Sequence, residues 1–408
     1  MNKALETLKE RGFFQQCTDI DGLSELMDKG PVTFYVGTDP TGPSLHIGHM
    51  VPIFALRHLR AAGHIGVVLI GGGTARIGDP SGKTEMRKMI TYEQIDENVK
   101  LFEKQLDNFV DFDGKTAFAD NNANWLADLN YINFLREIGS CFSVNKMLSY
   151  EAYKQRMEKG LSFIEFNYQL LQSYDFLKLY DRHNCCLQIG GDDQWGNITA
   201  GIDLIRRKRG SNAKAFGLTF PLVTRSDGKK MGKTEKGAVF INKDMTSVYD
   251  FFQYWRNVAD ADVRKFLLLF SFLPISEIDE ICAGDINQAK EKLAYEVTKE
   301  IHGKDEADKA LAGAKAAFGG GGDKSAMPTV EIAKGDLEVG MGIIDLYATA
   351  KLGGSKSDIR RLIQGGGAQI NGEKVTDIKM SVTLANVDKN NEIILKAGKK
   401  KFCRIVIV

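Results

Sequence analysis

The sequence is short of the features that mark secreted, metal-binding or membrane-spanning chains. It has six cysteines in 408 residues, Cys17, Cys141, Cys185, Cys186, Cys282 and Cys403, and no C-x-x-C pair among them. That argues against a disulfide framework or a thiolate zinc site and favours a reducing compartment. No protein-bound metal is expected. No uncharged apolar run reaches membrane-spanning length. The first eleven residues have the pattern of an amphipathic helix with acidic positions, unlike a secretory signal or an acid-poor transit peptide. A cytoplasmic chain with no membrane partner is the expectation. Excess charge is also lacking: 54 basic residues face 53 acidic ones, a net of +1. The balance is uneven, however, because residues 340–408 hold 12 Lys and Arg against 6 Asp and Glu. A basic end suits a polyanionic partner, although charge alone fits a solvated lysine-rich surface equally well.

The length suggests two or three domains. Residues 32–36 and 66–70 are short β-rich apolar runs with a helical stretch, 47–62, between them. This is a β-α-β unit, expected to be parallel and right-handed. Residues 185–190 have the character of a third buried strand, and 164–181 have helical periodicity. The expected fold class is α/β, a doubly wound, mostly parallel sheet, with ligands beyond the strand C-termini. It spans residues 1–246. Helix follows helix over 247–320, a glycine-rich linker is expected over 321–339, and a small α+β module over 340–408.

Two segments carry the chemistry. Residues 37–49 read Gly-Thr-Asp-Pro-Thr-Gly-Pro-Ser-Leu-His-Ile-Gly-His. Imidazoles at His46 and His49, spaced i and i+3, would share a helical face. Ser44 is the expected N-cap, and the helix N-terminus beside the pair would favour an anion. Gly48 leaves room for a flat base over the backbone. Residues 230–234 read Lys-Met-Gly-Lys-Thr and add two ammonium groups. Residues 78–84, Gly-Asp-Pro-Ser-Gly-Lys-Thr, imitate a phosphate loop. That motif needs four residues before its Gly-Lys pair, and here there are three; Pro80 also removes an amide.

The first segment resembles the HIGH signature of class I aminoacyl-tRNA synthetases, and the second resembles their KMSKS signature, with Gly232 and Thr234 where serines are usual. The whole chain is similar to the bacterial-type tyrosyl-tRNA synthetase family. This narrower likeness rests on residues 33–37, residues 77–83, Tyr168, Gln172 and Asp175 at i, i+4 and i+7 of one helix, and residues 188–197. Asp192 departs from the small residue usual in the family. Residues 355–366 and 369–373 resemble an S4-type RNA-binding module, in which basic side chains read RNA by shape.

The resemblance implies a Rossmann-like class I fold and a tyrosine–tRNA ligase. Such an enzyme uses ATP as a substrate, with Mg2+ accompanying the nucleotide. The implied partners are tRNA(Tyr), L-tyrosine and a second copy of the chain, not DNA. Thr41, His46, His49, Lys230 and Lys233 are implied in catalysis, with Lys83 assisting. Tyr35, Asp79, Tyr168, Gln172, Asp175 and Gln194 would bind tyrosine. Gly37, Asp39, Gly48, Gly191, Asp193 and Lys233 would bind ATP. Arg206, Arg207, Lys208, Arg209, Lys356, Arg360 and Arg361 would contact tRNA, although charge–dipole attraction at a helix C-terminus accounts for part of the 206–209 cluster. Two alternatives remain open: a tryptophanyl-tRNA synthetase, and a synthetase-like RNA-binding protein without catalysis.

Overall fold

The computed structural model describes residues 1–81, 89–228, 231–234, 237–319, 327–398 and 401–408. The chain divides into two units, Met1–Thr246 with Val258–Ala289, and Ser247–Asn257 with Lys290–Val408.

The first unit is built on a six-stranded sheet of β1 (Gln16–Cys17), β2 (Thr33–Thr38), β3 (Ile65–Ile70), β4 (Ala117–Asn121), β5 (Cys185–Gly191) and β6 (Phe216–Phe220), in the order β1-β6-β5-β2-β3-β4. All pairs are parallel except β1 with β6. The chain moves outward from β2 through β3 to β4, then returns to place β5 on the other side of β2. Strand order therefore reverses between β2 and β5, the place where an open α/β sheet leaves a crevice at its C-terminal edge. Helices α1 (Met50–Ala61), α2 (Tyr92–Val110), α3 (Phe163–His183) and α4 (Trp195–Arg209) surround the sheet. The expected β-α-β unit is present, and the strands at 32–36, 66–70 and 185–190 each lie within a residue or two of their observed bounds.

Two expected boundaries differ. The helical segment 247–320 does not form one body. Helix Val263–Phe270 belongs with the first unit, burying Phe266, Leu267 and Phe270, and the Phe270 ring meets Phe54 of α1 at 5.5 Å. The expected linker is shorter than 321–339. Residues Thr329–Ile332 form a strand parallel to Lys401–Ile407, and Lys334–Val339 form a helix. The glycine run that signals a linker stops before these residues, and a four-residue strand leaves little periodicity to read.

In the second unit, helix Val248–Arg256 packs on Lys304–Gly319. A five-stranded sheet runs in the order Glu373–Val375, Ala368–Ile370, Glu392–Ala397, Lys401–Ile407, Thr329–Ile332. Its own apolar core includes Ile343, Tyr347, Ile359, Ile363 and Ile405, with α5 (Lys356–Gln364) laid against it.

Candidate active site

At the reversal between β2 and β5 lies a cleft of about 310 Å3. Tyr35 and Gly37 come from β2, Asp39 and Thr41 from the loop after it, and His46 and His49 from the next turn. Tyr168, Gln172 and Asp175 come from α3, Gly191 from the end of β5, and Gln194 from the turn that starts α4; Asp79 completes the set. Thus most residues assigned to tyrosine, ATP and catalysis line a single cavity. Lys83 and Lys230 lie outside the described residues.

One end is buried and short of partners. Asp175 accepts from Trp125 Nε1 at 2.7 Å and Asn122 Nδ2 at 2.9 Å. Burial nevertheless pushes its carboxyl up to about 8, because a buried anion loses hydration. Burial, reinforced by the Asp175 charge, raises the Tyr35 hydroxyl well above its usual value. Among the described residues the Tyr35 hydroxyl has no hydrogen-bond partner, and neither does Thr38 Oγ1 or Gln188 Oε1. All three residues line the cleft. A buried polar atom left unpaired costs about 1–3 kcal/mol, so this end is built for a ligand carrying its own polar group.

The neighbouring region is acidic and networked. Asp39 accepts from the Tyr168 hydroxyl at 3.0 Å and the Thr74 hydroxyl at 2.8 Å. Asp79 accepts from Gln194 Nε2 at 2.8 Å, and Gln194 Oε1 accepts from Gln172 at 3.2 Å and Asn197 at 3.1 Å. Burial, then the charges of Asp39 and Asp79, raises the Tyr168 hydroxyl. The carboxylates of Asp39 and Asp79 both line this part of the cleft, which suits a cationic group such as an ammonium. Asp39, assigned to the nucleotide by resemblance, stands here beside the residues assigned to the amino acid.

The two imidazoles lie with ring centroids 4.0 Å apart. Their local structure differs from the expectation. Ser44 is not the N-cap: its hydroxyl donates to Gln105 Oε1 and the Leu45 carbonyl. The cap is His46, whose Nδ1 accepts from Gly48 N at 3.0 Å, while His49 Nδ1 accepts from His46 N at 3.1 Å. The turn Ile47–His49 is a 3-10 turn, and α1 begins only at Met50. With each Nδ1 accepting, the ring proton is assigned to Nε2, so both rings are neutral donors. A Cβ at Gly48 would come 2.7 Å from His46 Cε1; the glycine is needed by the cap itself.

The second signature is tied to the first by backbone. Ile47 N donates to the Val239 carbonyl, Ile241 N to that of Leu45, and Val239 N to that of Gly232. Gly232 has φ +82°, and a Cβ there would lie 3.2 Å from Ile47 Cβ. Lys233 begins a short strand with Thr234. Asp193 lines a second cavity, of about 550 Å3, with Trp195 and Tyr150.

The basic residues divide. Arg206 and Arg207 are exposed at the end of α4, whereas Arg209 pairs with Asp181 and Lys208 donates to the Glu137 carbonyl. On α5, Lys356 pairs with Asp345 and Arg361 with Asp358, and Arg360 is exposed.

Sequence reasoning missed Thr74, Asn122 and Trp125, which hold Asp39 and Asp175, and it gave no role to Gln188, which lies in the segment 188–197 and pairs in register with Tyr35. It also missed Asn98 and Gln105 of α2, which bond to the carbonyls of Pro40 and Pro43 and fix the loop ahead of the histidines.

A switch-point cleft walled by a His-Ile-Gly-His turn, with the second signature stitched behind it, defines a class. The chain belongs to the family described as tRNA synthetases class I (W and Y), which matches residues 27–319. Residues 322–405 match the tyrosine–tRNA ligase SYY-like C-terminal domain. Within the family, the chain is 66% identical to the tyrosine–tRNA ligase of Treponema denticola, over 100% of both chains. It is 53% identical to that of Clostridium tetani, covering 100% of this chain and 99% of the other. Of solved structures, it is similar to a C-terminally truncated mitochondrial tyrosyl-tRNA synthetase from Aspergillus nidulans. That likeness has a TM-score of 0.70 and 31% identity, over 77% of this chain and 94% of the other.

Proposed function

We propose that the cleft between β2 and β5 is where this chain, a tyrosine–tRNA ligase, activates tyrosine. The observation that carries the reading is the pairing of an unsatisfied Tyr35 hydroxyl with buried Asp175 at one end of the cleft and the capped imidazole pair at the other. A tyrosine suits the first end and the acidic region beside it: its phenol meets Tyr35 and Asp175, and its ammonium meets Asp79, Tyr168 and Gln172. Phenylalanine would leave the polar end unpaired. Tyrosyl-tRNA synthetases are themselves the standard example of such rejection without editing, about 10⁵-fold, a figure that belongs to the enzyme family and is no prediction from this cleft.

In the first step a tyrosine carboxylate oxygen bonds to the α-phosphorus of ATP. The bond to the bridging oxygen breaks, and pyrophosphate leaves. The substrate supplies the nucleophile, so catalysis is positioning plus charge stabilisation. Nε2–H of His46 and of His49, with the Thr41 hydroxyl, donate to phosphoryl oxygens as they gain charge. Gly37, Gly48, Gly191 and Asp193 hold the nucleoside part, with Asp39 at the junction between ATP and the amino acid. Lys230 and Lys233 act on the leaving pyrophosphate, and Gly228 and Gly232 let their loop close and open. In the second step a hydroxyl of the tRNA 3′-terminal ribose bonds to the acyl carbon, and AMP leaves. Magnesium comes with the nucleotide phosphates. Among the described residues, no three His, Cys, Asp or Glu side chains converge as a metal site.

The tRNA is engaged by the basic ends of the two units: Arg206 and Arg207 on α4, and the S4-like module through Lys356, Arg360 and Arg361, with Lys208 and Arg209 supporting the first group through their own carbonyl and carboxylate partners. By the family likeness, the working form is a homodimer in the cytoplasm.

Exchange of pyrophosphate into ATP, run with each amino acid in turn, tests the reading. Exchange with tyrosine alone is expected. Exchange with tryptophan instead would move the chain to the sister activity, and none at all would favour an RNA-binding role without catalysis.

A further inference from the structure

Asp192 opens the turn Asp192–Gln194 and is not among the residues assigned to a substrate. Its Oδ1 accepts two hydrogen bonds, from Gln16 Nε2 at 2.7 Å and Thr219 Oγ1 at 2.8 Å. The donors come from opposite directions in the chain. Gln16 is on the edge strand β1, and Thr219 is fully buried on β6, paired in register with Gly190. One oxygen thus fastens the end of β5 to the two strands outside it. The residues that follow are Asp193 and Gln194, and Gln194 carries the bond to Asp79 at 2.8 Å.

We infer that Asp192 is a positioning residue for the activation reaction: its Oδ1, held by Gln16 and Thr219, sets the turn that presents Asp193 and Gln194 to the substrates. This rests on the ligase reading above. The residue ahead of the turn is Gly191, which has no side chain to cap it, and the bonds of the Asp192 carboxylate to Gln16 and Thr219 anchor the turn's first residue. A hydrogen bond to a carboxylate is stronger than a neutral one, and two on one atom fix it from two sides. Freed of that atom, the turn samples several positions, and substrates bind at the cost of reordering it. The effect falls on binding more than on the chemical step, because Asp192 touches no reacting atom.

The test is tyrosine-dependent pyrophosphate exchange with Asp192→Ala, Asp192→Asn, Gln16→Ala and Thr219→Val in the full-length chain. Asp192→Ala should raise KM for both ATP and tyrosine by roughly tenfold, with kcat changed by less than about threefold. Asp192→Asn should stay within about twofold of wild type, because its amide oxygen accepts the same two donors. Gln16→Ala and Thr219→Val should each give an intermediate rise. Unchanged KM values in folded Asp192→Ala would overturn the inference, as would an Asp192→Asn enzyme impaired as badly as Asp192→Ala. If Asp192→Ala does not fold, the two donor variants decide, and normal KM values in both overturn it. A wild-type chain with no tyrosine-dependent exchange would remove the ligase reading and this inference together, an outcome distinct from the others.

Discussion

At Gly48 a hydrogen atom does the work usually given to a side chain. A Cβ there would stand 2.7 Å from His46 Cε1 and 3.0 Å from Nδ1, so Gly48→Ala pushes the ring off its cap. Stopped-flow measurement of adenylate formation should show a loss of roughly a hundredfold, the scale of one lost transition-state donor, with tyrosine affinity by equilibrium dialysis unchanged. His46→Ala should behave alike; a normal rate in either would remove His46 from the chemistry. Asp175 offers a pH-dependent readout. Its carboxyl sits at about 8 because of burial, so the folded chain holds that proton more tightly than the unfolded one. The associated stability is complete below the ordinary carboxyl range and is lost as pH rises toward and through about 8. Between about pH 5 and pH 8 the wild-type melting temperature should fall more steeply than that of Asp175→Asn. Parallel profiles would show that the carboxyl titrates elsewhere. Residues of this kind are legible in the sequence where their signal is local. Tyr168, Gln172 and Asp175 repeat at helical spacing, and His46 and His49 sit in one short motif. Asn122, Thr74 and Trp125 are not legible, because they meet Asp175 and Asp39 only once β2, β3 and β4 are in register and α3 is packed on them. Ser44 departs from its expected capping role for the same reason: its hydroxyl goes to Gln105, on a helix the local sequence does not reveal.

Among elements, α4 is closely held at both its start and its middle. It begins at the turn bearing Gln194 and crosses the back of β6 at Gly217, where a Cβ would come 2.3 Å from Ile198 Cγ2. Ile198 is β-branched and has few rotamers to yield with. Gly217→Val should therefore cost about 1–3 kcal/mol by overpacking, read as a lower urea midpoint with an unchanged slope. A midpoint equal to wild type would mean that helix and strand separate freely. The sheet shows where sequence patterning stops. β2, β3 and β5 are apolar runs flanked by turns, and their β-character is plain. β1 has two residues, and β4 is half-exposed along most of its length. β6 is buried throughout but interrupted by glycine, and Thr219 is the one β-branched residue in its five, so little marks it as a strand. These pieces take their form from neighbours already in place.

For the molecule as a whole, the basic C-terminal sheet with its core and the residues that line the cleft belong to different units. Deleting residues from about 325 onward should leave tyrosine-dependent exchange near its full rate and weaken tyrosine transfer to tRNA, measured by filter-bound aminoacyl-tRNA against tRNA concentration. Equal KM for tRNA in the two forms would refute an RNA-binding role for that region. The order of the chain has a further effect through the backbone bonds between residues 45–47 and 239–241. Those partners are separated by roughly two hundred residues of sequence, a long loop to close before any contact repays it. A ribosome making this protein exposes the His-Ile-Gly-His segment early, yet the nascent segment has no partner for Ile47 N until residue 239 has cleared the exit tunnel. The part of the cleft that bears the two imidazoles is therefore a late product of translation, assembled only after both halves of the sheet have emerged.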